Sequence, residues 1–220
     1  MNISIFDILG PIMIGPSSSH TAGAAKLARV ARDIVKKPFS KVRFGLCGSF
    51  AKTGLGHGTH QALLAGALGL REDDERIKTV ETLARQAGIG YEFYETELDD
   101  AHDNTVILTF FCTDDTTVQI IGCSVGGGRI CITDIDGMAA EIMAETTTLV
   151  IEQLDKPGVV NDVSRLLAEN GINIGVMRVS RVAKGELASC VIETDSAVSE
   201  AMESQLTALK NVRKVRIINV

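Results

Sequence analysis

Thr147-Thr148-Leu149-Val150-Ile151-Glu152-Gln153-Leu154 reads as a strand, and Asp155-Lys156-Pro157-Gly158 turns it into a helix over 159–170. Gly171 ends that helix. A strand over 173–182 then turns at Lys184-Gly185 into a second strand over 187–194. A helix over 199–209 and a strand over 212–220 complete the order βαββαβ, the ferredoxin-like arrangement. About 74 residues suffice for such a unit, and one so small commonly pairs with a copy of itself. Upstream, a boundary falls within 137–146. It leaves 1–146 as a separate domain of mixed α and β elements and 147–220 as the second domain. In the first domain Val42, Phe44 and Leu46 alternate with polar residues as a half-buried strand. A helix of small apolar residues covers 61–69, a charged helix 74–87, and Tyr91 and Phe93 mark a short strand. After an acidic loop over 95–103, three antiparallel strands cover 104–112, 116–123 and 129–135. Asp114-Asp115 and Gly126-Gly127-Gly128 are the turns between them. The fold class is α+β.

The chain has 220 residues, 45% of them hydrophobic, and a net charge of −6. With no basic patch and no tryptophan, nothing in it favours nucleic acid. No apolar run approaches the about 20 residues that span a bilayer, and the first residues lack the pattern of a signal peptide. Five cysteines, an odd number without paired spacing, suit a reducing cytoplasm. Cys112, Cys123 and Cys131 fall on successive strands, open to reading as core thiols or as a metal site.

Two stretches carry chemistry. Gly15-Pro16-Ser17-Ser18-Ser19-His20-Thr21-Ala22-Gly23 closes the extended Ile12-Met13-Ile14 and leads into a helix. That helix writes its apolar face with Ala24, Leu27, Ala28, Ala31 and Val35 and stops before Pro38. Serines at a helix entrance meet unpaired N–H groups and the positive end of the dipole, which favour carboxylates and phosphates. A capping serine with solvated neighbours is the other reading. The second stretch runs from Gly48 through Lys52 and Gly56-His57-Gly58-Thr59 to His60. Its glycines leave the His57 imidazole uncrowded. His57 and His60 share a face if both lie on a helix. Lys52 is open to reading as a carboxylate neutraliser or as a solvated lysine.

These two stretches, with Ser124-Val125-Gly126-Gly127-Gly128, resemble the beta subunit of iron–sulfur-dependent L-serine dehydratase, and the likeness covers essentially the whole chain. The C-terminal part resembles an ACT domain, an amino-acid-sensing module. The first part resembles the allosteric substrate-binding domain shared with some D-3-phosphoglycerate dehydrogenases. The resemblance implies a partner alpha subunit whose cysteines ligate a [4Fe–4S] cluster, with no metal ligand on this chain. Together the two subunits would convert L-serine to pyruvate and ammonia. It further implies that His57 and His20 serve catalysis and that Ser17, Ser18, Ser19 and Thr21 bind substrate at the face toward the alpha subunit. A regulatory amino acid would bind Asp155, Gly158 and Asn173, with ACT domains paired as a homodimeric contact. Two positions depart from the family pattern: His60 stands where an acidic residue follows Gly-His-Gly-Thr, and His102-Asp103-Asn104 stands where the family has His-Pro-Asn. Asp155 stands where serine-binding ACT domains carry asparagine, and it also reads as a helix cap ahead of Pro157.

Elimination of water from serine needs a base for the Cα proton, an acid for the hydroxyl and a clamp for the carboxylate. A hydroxyl-lined helix entrance supplies the clamp and histidine the base or acid. The Lewis acid is missing from this chain, which makes it half an enzyme. A non-catalytic amino-acid-sensing regulatory subunit and a purely structural partner are the other two readings.

Overall fold

Ala24, Leu27, Ala28, Ala31 and Val35 recur at helical spacing, and all five are buried along α1 (Ala24–Val35). Lys36 closes this helix in the left-handed conformation, with its N–H on the Arg32 carbonyl. The computed structural model describes residues 12–181 and 183–219, which divide into two compact units, 1–136 and 137–220.

In the first unit β1 (Phe39–Leu46) runs parallel to β2 (Gly90–Glu95) and antiparallel to β3 (Thr105–Cys112). Two more antiparallel strands, β4 (Thr117–Gly126) and β5 (Arg129–Ile135), follow, so the strands lie in the order β2-β1-β3-β4-β5. One face of this sheet is covered. Val42, Phe44, Leu108, Phe110, Ile120, Ile130 and Ile132 are buried on it, and Leu27 of α1 packs over Gly122. One helix was not legible as such, the short α2 (Gly48–Thr53); the helix expected over 61–69 is α3 (Thr59–Ala67), which starts two residues earlier and packs against α1. The charged stretch over 74–87 divides into a 3₁₀ turn (Glu75–Thr79) and α4 (Val80–Gln86). Asp74 caps the first of these by accepting from the Arg76 N–H.

The second unit opens with β6 (Met138–Ile142), a strand the sequence did not announce. Then come β7 (Thr147–Leu154), α5 (Val159–Glu169), β8 (Ile174–Arg181), β9 (Leu187–Thr194), α6 (Glu200–Thr207) and β10 (Val212–Ile218). The sheet order is β10-β7-β9-β8, all neighbours antiparallel, as βαββαβ requires. Val182 and Val220, the expected last residues of two strands, lie outside the described residues. Alternate residues of the strands, Leu149, Ile151, Cys190, Ile192, Val215 and Ile217, form one core with Val163 and Leu167 of α5 and Leu206 of α6. The α+β class and the C-terminal ferredoxin-like unit are as the sequence indicated.

A tight contact fixes the start of α1. A Cβ built on Gly23 falls 2.0 Å from the Ser124 hydroxyl oxygen of β4. Helix propensity alone favours alanine over glycine there by about 1 kcal/mol. Overpacking opposes it, so Gly23→Ala is expected to destabilise the chain by about 1–3 kcal/mol in urea unfolding. A stabilised Gly23→Ala chain would contradict this packing.

Candidate active site

Ser17 has extended backbone, and its hydroxyl accepts from the His20 N–H at 3.0 Å. Its carbonyl accepts from Thr21 at 2.9 Å and from Ala22 at 3.3 Å. Residues Ser18–Gly23 thereby wind as a π-helical turn ahead of α1, where the sequence suggested direct entry into an α-helix. The turn brings His20 against α2, whose Ser49 and Thr53 stand one helical turn apart. The His20 Nε2 lies 3.1 Å from Ser49 Oγ and 3.0 Å from Thr53 Oγ1, and those two oxygens are 3.2 Å apart. The Thr53 hydroxyl donates to the Ser49 carbonyl at 2.9 Å.

His57 sits on the turn between α2 and α3. Its Nδ1 lies 2.9 Å from the Thr53 carbonyl. A carbonyl only accepts, so Nδ1 carries the proton and Nε2 keeps its lone pair. The His20 and His57 rings are 4.9 Å apart at a 40° tilt, and the edge of Phe50 closes the other side of His20 at 5.3 Å. Two histidines separated by 36 residues thus meet at one surface, His57 exposed and His20 half-buried. Burial, and then the neighbouring His57, push the His20 pKa below its ordinary value; a hydrogen bond to the Ser49 backbone pulls the other way.

Not every residue singled out from the sequence reaches this surface. Ser18 and Ser19 are half-buried at the outer end of the π turn, Ser17 caps it, and Thr21 is buried. The Thr21 hydroxyl donates to the His57 carbonyl at 3.1 Å, so Thr21 ties the two histidine segments together and does not face a ligand. His60 and His57 do not share a helix face. Gly58, at φ +71°, turns the chain into α3 between them. His60 stacks on Phe93 at 4.2 Å and 8°, and Phe93 stacks on Phe44 at 4.6 Å. Lys52 is exposed and lines a cavity of about 490 Å³ with Glu95, Glu97, Asp99 and Asp103, away from the hydroxyl cluster.

Four participants were given no role from the sequence. Ser49 and Thr53 lie in a helix too short to show periodicity, although their four-residue spacing was a usable signal. Ser124 is fully buried beneath Gly23, and Asn104 reaches its carbonyl at 3.5 Å. Among the described residues, Ser124 Oγ and Asn104 Oδ1 are buried without a hydrogen-bond partner. The preceding loop is tied without proline. His102 Nδ1 accepts from the Asn104 N–H at 3.1 Å, and the Asp103 carbonyl accepts from the Ser49 N–H at 2.7 Å, anchoring the start of α2.

Among the described residues no three His, Cys, Asp or Glu side chains converge to hold a metal ion. Cys123 and Cys131 are register partners on β4 and β5, whereas Cys112 ends β3 opposite Phe39. The thiols therefore do not form the three-ligand set that a cluster needs.

In the second unit the three residues expected to hold a regulatory amino acid divide. Asp155 does not cap α5, whose N-cap is Gly158. Its Oδ2 accepts from the Gly185 N–H at 3.0 Å and from Arg181 at 3.1 Å, which hold its pKa below the ordinary carboxylate value. Asn173 donates to Asp195 at 2.6 Å beside the Ile174–Thr194 pair, at the opposite end of the sheet from the Leu154–Leu187 pair.

The geometry defines a two-unit α+β protein with a histidine–hydroxyl site on the first unit. Comparison with known proteins shows the family. A family model described as serine dehydratase beta chain matches residues 4–90, and one for the ACT domain matches 147–211. The L-serine dehydratase beta chain of Peptoniphilus asaccharolyticus is 39% identical over 218 residues, covering 99% of this chain and 98% of that one. A probable L-serine dehydratase beta chain of Bacillus subtilis is 38% identical over 96% of each chain. An L-serine dehydratase of Streptomyces coelicolor is 29% identical over 80% of this chain, which spans 43% of that protein. The chain belongs to the L-serine dehydratase beta-chain family, with a C-terminal ACT domain.

Burial pushes the pKa of His60 down as well as that of His20. The unfolded chain takes up protons near pH 6.5, before these folded histidines do. Stability is therefore expected to fall as pH drops from about 7.5 through 6.5 toward the lowered folded values. Urea midpoints check this, and His60→Phe, which keeps the stack without the titrating ring, should flatten the dependence.

Proposed function

We propose that this chain is the beta subunit of a two-subunit L-serine dehydratase that deaminates L-serine to pyruvate and ammonia together with an alpha subunit. The observation that carries the reading is the meeting of His20 and His57, 4.9 Å apart, with Nδ1 of His57 fixed on the Thr53 carbonyl. The fixed tautomer leaves His57 Nε2 as an exposed acceptor for the Cα proton of serine. The Ser18 and Ser19 hydroxyls, on the outer end of the π turn, hold the substrate carboxylate, and Ser17 keeps the turn wound. His20, tied to Ser49 and Thr53, lies against the His57 ring and supports its orientation. In this reading a [4Fe–4S] cluster is held by the alpha subunit. When bound there, the cluster supplies a Lewis acid for the departing hydroxyl. Loss of water leaves an enamine; its imine tautomer takes up water to give pyruvate and ammonia.

The ACT domain makes the chain a regulatory as well as a catalytic subunit. Its edge strand β8, with Val179 47% exposed, is the place where a copy of the domain pairs. A non-catalytic amino-acid sensor is the second reading, favoured by the ACT match alone.

Co-expression with a cysteine-bearing alpha subunit, purification without oxygen and assay of pyruvate from L-serine test the proposal. Activity is expected only in the iron-containing complex. His57→Gln should lower kcat by about 10²–10⁴-fold while the complex still assembles. A stable, iron-loaded complex inert on L-serine, or a His57→Gln complex of normal activity, would overturn it; the inert complex would favour the sensor.

A further inference from the structure

The contacts of His20 assign its ring hydrogen. Its Nε2 stands 3.0 Å from Thr53 Oγ1 and 3.1 Å from Ser49 Oγ. The Thr53 hydroxyl has one hydrogen, and the Ser49 carbonyl, which only accepts, takes it at 2.9 Å. Toward His20, therefore, Thr53 Oγ1 offers only lone pairs. A bare Nε2 would face them with no hydrogen between, so Nε2 carries the hydrogen and donates it to Thr53. The Ser49 hydroxyl, 3.2 Å from Thr53 Oγ1, donates to the second lone pair of the same oxygen. Every hydrogen of the cluster is then placed.

Nδ1 of His20 is left over, with no hydrogen-bond partner among the described residues. Burial and the neighbouring His57 both favour the neutral ring, in which Nδ1 presents a lone pair. His57 has the opposite arrangement, with its Nδ1 hydrogen on the Thr53 carbonyl and its Nε2 bare. Thr53 thus sets both tautomers, one through its hydroxyl and one through its carbonyl. When both rings are neutral, two imidazoles 4.9 Å apart each keep one bare nitrogen.

A bare imidazole nitrogen accepts a hydrogen bond and cannot donate one, so it suits an ammonium group and not a carboxylate. Among the described residues no Asp or Glu side chain is hydrogen-bonded to or ion-paired with His20, Ser49, Thr53 or His57. We propose that His20 Nδ1 accepts a hydrogen bond from the ammonium group of the substrate. His20 then distinguishes a 3-hydroxy-2-amino acid from the same acid without its amino group. The amino nitrogen and the hydrogen to be abstracted share one carbon, so neighbouring acceptors engage both at once, and the bond at His20 turns the Cα hydrogen toward His57 Nε2. Thr53 is a positioning residue that acts through both rings. The inference rests on the proposed function and adds to it the residue that selects the amino group.

Two measurements test it. Nitrogen-15 NMR of the histidine-labelled chain, at a pH where the rings are neutral, should show His20 with a bare Nδ1; a His20 ring protonated at Nδ1 would overturn the assignment. In the iron-containing complex, KM for L-serine is compared with the inhibition constant of 3-hydroxypropanoate, which keeps the carboxylate and the hydroxyl and lacks the amino group. His20→Leu should raise KM by about tenfold or more and shift the inhibition constant by less than about threefold. It should lower kcat far less than His57→Gln does. Thr53→Val, which removes the hydroxyl and keeps the carbonyl that holds His57, should raise KM by a smaller factor with the same selectivity. A merely structural role would raise both constants together. That result, or an unchanged KM in His20→Leu, would overturn the proposal while an active wild-type complex keeps the catalytic reading standing. A wild-type complex inert on L-serine would overturn both.

Discussion

The hydrogen bond between His57 Nδ1 and the Thr53 carbonyl is the contact on which the candidate site depends. A glycine-flanked histidine on an exposed turn has only the His20 ring beside it among the described aromatic contacts, too little to fix which nitrogen faces outward. This bond fixes both the orientation and the tautomer, and so decides which nitrogen faces outward. The bond exists because α2 is only six residues long and ends at Thr53, leaving a terminal carbonyl without an intrahelical donor. Thr53 serves the site twice, its carbonyl holding His57 and its hydroxyl meeting His20. The Thr21 hydroxyl then binds the His57 carbonyl and locks the π turn to the same segment.

Around this contact the fold does a simple job. α1 lies on one face of the sheet, α3 packs on α1 with Gly66 against Ala25 and Ala28, and the Thr21 bond to the His57 carbonyl joins the π turn ahead of α1 to the glycine-rich turn ahead of α3. Gly23 allows β4 to come up beneath the π turn, at the expense of a buried Ser124 hydroxyl that has no hydrogen-bond partner among the described residues. Such an orphan costs about 1–3 kcal/mol, and its persistence under the site is consistent with a geometry kept for chemistry. In the second unit Asp155 is drawn from the helix cap to the Arg181 end of the sheet, where it pairs with the guanidinium.

The parts of the fold carried by periodic burial were legible in the sequence. Alternation along 147–154 and 187–194, and the 3.6 spacing of Ala24, Leu27, Ala28, Ala31 and Val35, reproduce the observed elements. Short elements fixed by single hydrogen bonds were not. α2, the π turn and β6 are five or six residues each, too brief for a period to register. His20 and His57 were readable from their settings, but their meeting was not, because it depends on tertiary packing of α1 against α3. Thr21 looked like a ligand-facing hydroxyl and is a buried tie. Asp155 looked like a cap and is half of an ion pair. In both cases the local pattern admitted the role, and a longer-range partner took the side chain instead.

The central claim is that His57 presents a bare Nε2 because Nδ1 holds its proton on the Thr53 carbonyl. Nitrogen-15 NMR of the histidine-labelled chain, at a pH where the rings are neutral, reads this directly. The account predicts the Nδ1–H tautomer for His57, converted toward the ordinary mixture in Thr21→Val, which frees the turn. A His57 ring found in the Nε2–H tautomer would contradict it.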